Sequence, residues 1–302
     1  MKEISYIGEG REENPEGFRL DIRKEDIRPE IPEAGGTVLV LQVNAKDDRR
    51  DSNSPEFGAL LPEAGEQVVV QSKDYFDKVF ENLSEEDKKK VKIIVYASDA
   101  SLKMPSGLNS THRRAFETGE KVMEGIRKAI DKNGAEQNQL LNNSPETKGE
   151  PVGVSGLIDL TMFDESPEFV KYMTDKYGPD KKFWMLYEDD TESDTRLDMG
   201  AEGPSEIAIR MRKALTTLTQ DMAKNYHDSN PDTLLYIWAI SHYDSISPWV
   251  KGYVYQADPS RLFVPTEKAG GITIKIDKDN KKAETIIAGE KFEIPSLLIK
   301  PE

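Results

Sequence analysis

The chain has 302 residues, 36% of them hydrophobic and 32% charged, with no cysteine and a formal net charge of −15. That mixture gives a folded globular protein rather than a disordered one, and it excludes disulfides, thiol catalysis and cysteine-ligated zinc. With 56 acidic against 41 basic residues, general affinity for nucleic acid or anionic membranes is excluded as well, because both need basic surface to neutralise phosphates.

Residues 1–36 are strongly charged, carry Pro29 and Pro32, and close on Gly35–Gly36. They read as an N-terminal extension with at most short strands. The opening MKEISYIGEGREENPEGF lacks the apolar core of a secretory signal, and no apolar run reaches the ~18–20 residues of a membrane span, so the expected location is the cytoplasm. TVLVLQVNA (37–45) is a continuous apolar run with β-branched residues, the pattern of a strand buried on both faces. After a loop, the apolar residues from Glu63 to about Leu83 fall at helical intervals. SEEDKKK leads into a second core strand, VKIIVYAS (91–98). LNSTHRRAFETGEKVMEGIRKAI (108–130) is predicted as a long amphipathic helix with Ser110 or Thr111 as N-cap.

DKNGAEQNQLLNNSPETKGEP then reads as a polar connection and VGVSGLIDL as a strand. Residues 165–190 look helical and are followed by the acidic stretch EDDTESD, which lacks calcium-loop spacing and reads as a solvated loop. GPSEIAIRMRKALTTLTQDMAKNY (203–226) has the strongest helical pattern, with Pro and Ser–Glu in its first turn. DTLLYIWAIS is the third core strand, SISPWVKGYVY a short helix, and ITIKIDKDNKKAETIIAGEKFEI a β-hairpin turning at Asp277–Lys282. Strands alternating with long helices predict an α/β protein with a mainly parallel sheet over 37–269. The C-terminal β-hairpin over 270–302 is expected to pack on or beside it.

In such sheets ligands bind beyond the carboxyl ends of the strands. Three ends converge by this rule: Gln42–Lys46, Ala97–Lys103 and Ser241–Asp244. The helix after the second strand opens with His112, Arg113 and Arg114. Arginines at a helix start, with His242 at a neighbouring strand end, predict a cradle for phosphate or another small anion. His112 reads as a helix-start surface residue and His227 as an exposed helix-end residue. Asp159 and Asp244 are candidate proton donors. There is no glycine-rich phosphate loop and no serine nucleophile elbow, and no metal or cofactor is expected.

The order of these blocks resembles the histidine phosphatase superfamily, the phosphoglycerate-mutase-like proteins, from about residue 37 to 255. LLPEAGEQ (60–67) is similar to the family's helix start after its first strand. VYASDASLKMPSGLNSTHRRAFETGEKV is similar to its strand ending in Ser and its Arg-Ala-x-x-Thr helix, with Arg114, Ala115 and Thr118 in register. GPSEIAIRMRKAL and LYIWAISHYDSI are similar to its last helix and the strand ending in Ser-His-Gly, which puts His242 on the family's second histidine. The resemblance implies a three-layer α/β/α sandwich. It also implies that active members use a first-strand histidine as nucleophile, flanked by a phosphate-holding arginine. Here the matching stretch is LQVNAKDD (41–48), with neither residue. Either Asn44 stands at the nucleophile's place with Val43 at the arginine's, or Val43 and Gln42 do. A carboxamide nitrogen has no usable lone pair and valine offers nothing. Lys46, the first basic residue beyond, can contact an anion without matching a bidentate clamp.

The expected protein is therefore a degenerate, catalytically impaired member, a pseudo-phosphatase. It would retain part of a phosphate pocket (Arg114, Arg113, His242, Asn44, Lys46) and act as a binding or regulatory module. The alternative is an active phosphoric monoester hydrolase that relies on His242, Asp244 or Asp159 and uses an unconventional nucleophile or activated water. A small phosphorylated or anionic ligand and a protein partner are the partner classes left open.

Overall fold

Thr37–Val43 form strand β1, and all seven residues are buried. Val38 and Val40 enter one apolar layer, while Leu39, Leu41 and Val43 enter the other. This is the two-faced burial that a run of β-branched and aliphatic side chains suits. β4 (Leu234–Ser241) is likewise buried throughout, and β2 (Val91–Ala97) is buried except at Lys92 and Ile94, which are half-buried. β3 (Val152–Gly153), β5 (Gly271–Ile276), β6 (Ala283–Ile287) and β7 (Glu290–Glu293) are the remaining strands. The computed structural model describes residues 21–47, 58–100, 112–157, 161–178, 181–260 and 264–297. Among these residues the seven strands form one sheet in the order β3-β2-β4-β1-β5-β6-β7. The first four in that order are parallel to one another; β5 turns antiparallel against β1, and β6 and β7 continue antiparallel.

Ten α-helices are described: α1 (Pro62–Glu81), α2 (Glu85–Lys90), α3 (Arg114–Lys132), α4 (Met162–Glu165), α5 (Pro167–Tyr177), α6 (Lys181–Glu188), α7 (Ser193–Asp198), α8 (Pro204–Thr216), α9 (Ala223–Ser229) and α10 (Tyr243–Trp249). α1 and α3 cover one face of the sheet, packing Val68, Phe76, Val122, Met123 and Ile126 against Val38, Val40 and Trp238. α5, α6, α8 and α10 cover the other, where Phe169, Phe183, Met211, Leu215 and Trp249 meet Leu39, Leu41 and Ile237. The chain is thus a three-layer α/β/α protein. α1 and α3 lie unusually close: a Cβ on Gly125 would stand 2.1 Å from Ser72 Oγ and 2.4 Å from the Val69 carbonyl oxygen. Among the described residues no helix is long and apolar enough to cross a membrane.

Several elements differ from the sequence expectation for identifiable reasons. SEEDKKK is the short helix α2, capped by Ser84, whose hydroxyl accepts from the Asp87 N–H at 3.1 Å. Its acids lie in the first turn and its lysines in the last, which suits the helix dipole. α3 begins at Arg114 rather than 108, with Arg113 as N-cap and no side-chain cap; Ser110 and Thr111 lie outside the described residues. Among the described residues of VGVSGLIDL, 152–157, only Val152–Gly153 pair as a strand. Its apolar character serves packing, since Leu157 is buried and a Cβ on Gly156 would meet Ala214 of α8 at 2.6 Å. The helix expected over 203–226 is interrupted by a π-helical turn at Thr217–Met222. There Thr219 Oγ1 donates back to the Leu215 carbonyl at 2.9 Å, a bond that competes with regular helix geometry.

The hairpin turns where expected, with Asp277 Oδ1 accepting from the Lys281 and Lys282 N–H groups at 2.6 and 3.0 Å. It gains β7 as a third strand, and β5 is hydrogen-bonded along β1. Of the N-terminal extension, residues 21–36 are described: Ile22 is buried and forms a parallel bridge with Thr266.

Candidate functional site

The carboxyl ends of β1, β4 and β2 lie side by side. β1 and β4 pair in parallel with Val43 opposite Ser241, and the Asn44 N–H donates to the Ser241 carbonyl at 2.9 Å. This pairing sets Asn44 abreast of His242. Ser98 follows β2 in the same way, its N–H donating to the Ile240 carbonyl at 2.9 Å. The start of α3 is tied in by Thr118, whose hydroxyl donates to the Arg114 carbonyl at 2.7 Å and accepts from the Ala45 N–H at 3.1 Å. Four elements therefore fix one cluster.

Within it, Arg114 Nη2 donates to His242 Nδ1 at 3.4 Å, and His242 Nε2 lies 3.1 Å from Ser98 Oγ. Arginine has only donors, so the contact requires Nδ1 to accept and leaves the ring proton on Nε2, donating to Ser98. A general base for a serine needs the opposite arrangement, an unprotonated Nε2 facing the hydroxyl and an acceptor behind Nδ1. Ser98 and His242 are therefore not a nucleophile–base pair in this geometry. The other arm of the guanidinium, Nη1, donates to Asp47 Oδ2 at 3.4 Å. Arg114, His242, Ser98, Asn44 and Asp47 are all buried, so charge–charge and hydrogen-bond terms here are weakly screened.

Asn44 is fully buried; its Nδ2 donates to the Ala45 carbonyl at 3.0 Å, and its Oδ1 has no hydrogen-bond partner among the described residues. Gln42, the alternative at the arginine's place, is committed to the core: Oε1 accepts from Trp238 Nε1 at 2.8 Å and Nε2 donates to Gln71 and the Ala269 carbonyl, both at 3.0 Å. Arg113 is exposed, with its guanidinium 3.8 Å above the Phe116 ring. Lys46 is exposed at the rim, and its carbonyl accepts from the Leu61 N–H at 3.0 Å. Asp244 sits half-buried in the first turn of α10. Burial above all, and then the charges of Glu188 and Asp244, hold the Tyr243 phenol well above its ordinary range. Asp159 lies outside the described residues. His112 is engaged by Glu117, Nδ1 to Oε1 at 2.8 Å.

Two expectations are corrected. His227 is not an exposed helix-end residue; it is half-buried and its Nε2 lies 3.0 Å from Thr37 Oγ1, at the amino end of β1. EDDTESD is not a solvated loop. Glu188 accepts from the Tyr243 hydroxyl at 2.8 Å, Asp190 takes both Nε and Nη2 of Arg196 at 2.7 and 2.9 Å, and Glu192 accepts from Lys176, Tyr172 and Tyr177. Those bonds, Lys176 foremost, push the Glu192 carboxyl down to about 2. Among the described residues no three His, Asp or Glu side chains are grouped to hold a metal ion.

Sequence reasoning noted a strand ending in Ser98 but gave it no role, and it missed Asp47. Position was the available signal for both, since each directly follows or lies just beyond a core strand's carboxyl end.

No family model and no curated protein matches this chain. Among solved structures the chain is similar to the phosphoglycerate mutase from Bacillus anthracis str. Sterne, with 13% identity, a TM-score of 0.45, and coverage of 89% of this chain and 97% of that one.

Proposed function

We propose that this chain is a non-catalytic binding or regulatory module of the histidine-phosphatase type, whose ligand is a small phosphorylated or otherwise anionic molecule. The observation that carries this reading is the buried contact of Arg114 with His242 at 3.4 Å, at the strand ends where α/β sheets take ligands. Arg114 offers the planar donor fork that matches phosphate oxygens, and α3 presents its positive end beside it. The lack of catalysis follows from the same cluster. Asn44, abreast of His242, has no nucleophilic atom, and His242 gives its Nε2 proton to Ser98 rather than taking one.

Orthophosphate or orthovanadate is expected to raise the melting temperature of the unmodified protein; a ligand at a hundredfold excess over its Kd adds about 2.7 kcal/mol. The rise is expected to vanish in Arg114→Lys, which keeps the charge and loses the fork. Hydrolysis of an aryl phosphate across acid and neutral pH is expected to stay at the level of His242→Ala. Turnover that disappears in His242→Ala would overturn this function in favour of an active phosphomonoesterase, with Asp244 as its first candidate proton donor.

A further inference from the structure

The Arg114 fork already touches an anion, and that anion belongs to its own chain. Asp47 Oδ2 accepts from Arg114 Nη1 at 3.4 Å, with side-chain exposures of only 4% and 6% for the two groups. The backbone holds Asp47 in this place. It forms an isolated antiparallel bridge with Leu60, the Leu61 N–H donates to the Lys46 carbonyl at 3.0 Å, and the Leu60 N–H donates to Glu117 Oε2 at 2.9 Å. Glu117 is on α3, one turn beyond Arg114, so the carboxylate and the guanidinium are anchored to the same helix.

A buried guanidinium needs a counter-charge, and among the described residues Asp47 provides one. A phosphate brings the same chemistry to the same donors: anionic oxygens seeking N–H groups. Two anions on one fork repel each other at close range with little water between them. We propose that Asp47 is a built-in competitor for the anion site, and that a phosphoryl ligand binds only as the Asp47 carboxylate gives up Arg114. This rests on the reading of Arg114 and His242 as that site. Such a site favours an anion whose own bonds to the fork outweigh those of Asp47, and it discriminates against weakly bound anions. It also couples binding to the Asp47–Leu60 bridge, because the residue that gives up Arg114 is itself paired with Leu60.

Calorimetric titration of the full chain with inorganic phosphate tests this. Asp47→Asn, which keeps the size and an acceptor oxygen but removes the charge, is expected to bind phosphate at least about tenfold tighter than the unmodified protein, a gain of about 1.4 kcal/mol. Equal or weaker binding by a folded Asp47→Asn, with binding by the unmodified chain intact, would overturn the proposal and make Asp47 a supporting residue. Amide hydrogen exchange on the unmodified chain gives an answer even where the variant fails to fold. Saturating phosphate is expected to speed exchange of the Leu61 N–H, and unchanged or slower exchange with phosphate bound would show that Asp47 stays in place. Absence of phosphate binding by both proteins would remove the anion site itself, a result distinct from loss of the competitor alone.

Discussion

His242 and His227 stand at opposite ends of the same pair of strands, and each end assigns its histidine a different chemistry. His242 has an arginine behind Nδ1 and a hydroxyl before Nε2, a setting in which Nδ1 accepts and Nε2 donates. His227 has the Thr37 hydroxyl at Nε2 and no hydrogen-bond partner for Nδ1 among the described residues, and burial, the largest cause, lowers its pKa below 6.5. Its folded form therefore resists a proton that the unfolded chain accepts. The stability it contributes is complete above the unfolded value near 6.5 and is lost as pH falls through the depressed folded value. The urea midpoint is expected to drop between pH 7 and pH 5, and His227→Gln, which keeps an acceptor for Thr37, is expected to shrink that drop. A drop of unchanged size would place the acid sensitivity elsewhere. At this scale the sequence placed His242 at a strand end and Arg114 at a helix start, because both follow from local pattern. It did not disclose Asp47, one acid in the run KDDRR. The residue that sets Asp47 apart from a solvated acid is 67 positions away.

Asn142 shows how a stretch with no pattern of its own completes an element. The polar connection after α3 runs beside β2, where β3 supplies only two paired residues. Asn142 Oδ1 accepts from the Val95 N–H at 2.7 Å, and Nδ2 donates to the Val95 and Glu150 carbonyls, both at 2.9 Å. One side-chain amide thus does what a neighbouring strand's peptide would do and satisfies the edge of β2 just before pairing with β3 begins. Gln139 extends this coverage by donating to the Val91 carbonyl at 3.2 Å. Asn142→Leu matches the size but leaves the Val95 N–H and carbonyl buried without partners. It is expected to cost about 2–3 kcal/mol in chemical denaturation, since each such orphan costs about 1–3 kcal/mol. A loss below about 0.5 kcal/mol would mean that water or a shifted backbone replaces the amide. The strands β1, β2 and β4 and the helices α1, α3 and α8 were legible because period and burial coincide in them. β3 was overread, since the apolar run that marks it packs against α8 rather than pairing. The capping role of Asn142 was illegible, since nothing near it in sequence marks Val95 as its partner.

At the scale of the whole molecule, β1 holds the sheet together: β4 lies parallel on one side and β5 antiparallel on the other. A division at residue 269 would cut between β1 and one of its two partners. A chain ending at residue 269 is expected to be recovered mainly in the insoluble fraction, because Thr37–Gln42 would lose the backbone partners that Gly271–Ile276 provide. A soluble, cooperatively melting product would establish residues 37–269 as a self-sufficient domain and the last three strands as an accessory to it. The same arrangement sets a timetable for synthesis. Gln42 finds Trp238 across 196 positions of chain, and at about 5–20 residues per second the ribosome needs about 10–40 s to deliver the second after the first. Throughout that interval TVLVLQV, seven residues without a charge, is outside or leaving the ribosome with neither neighbour made, the kind of segment that recruits copies of itself. The acids and bases of KDDRR directly downstream, and the surplus of negative charge along the nascent chain, oppose that encounter. By the same physics, acidity that is spread over the surface of the folded protein acts first between unfinished chains, where like charge opposes their encounter.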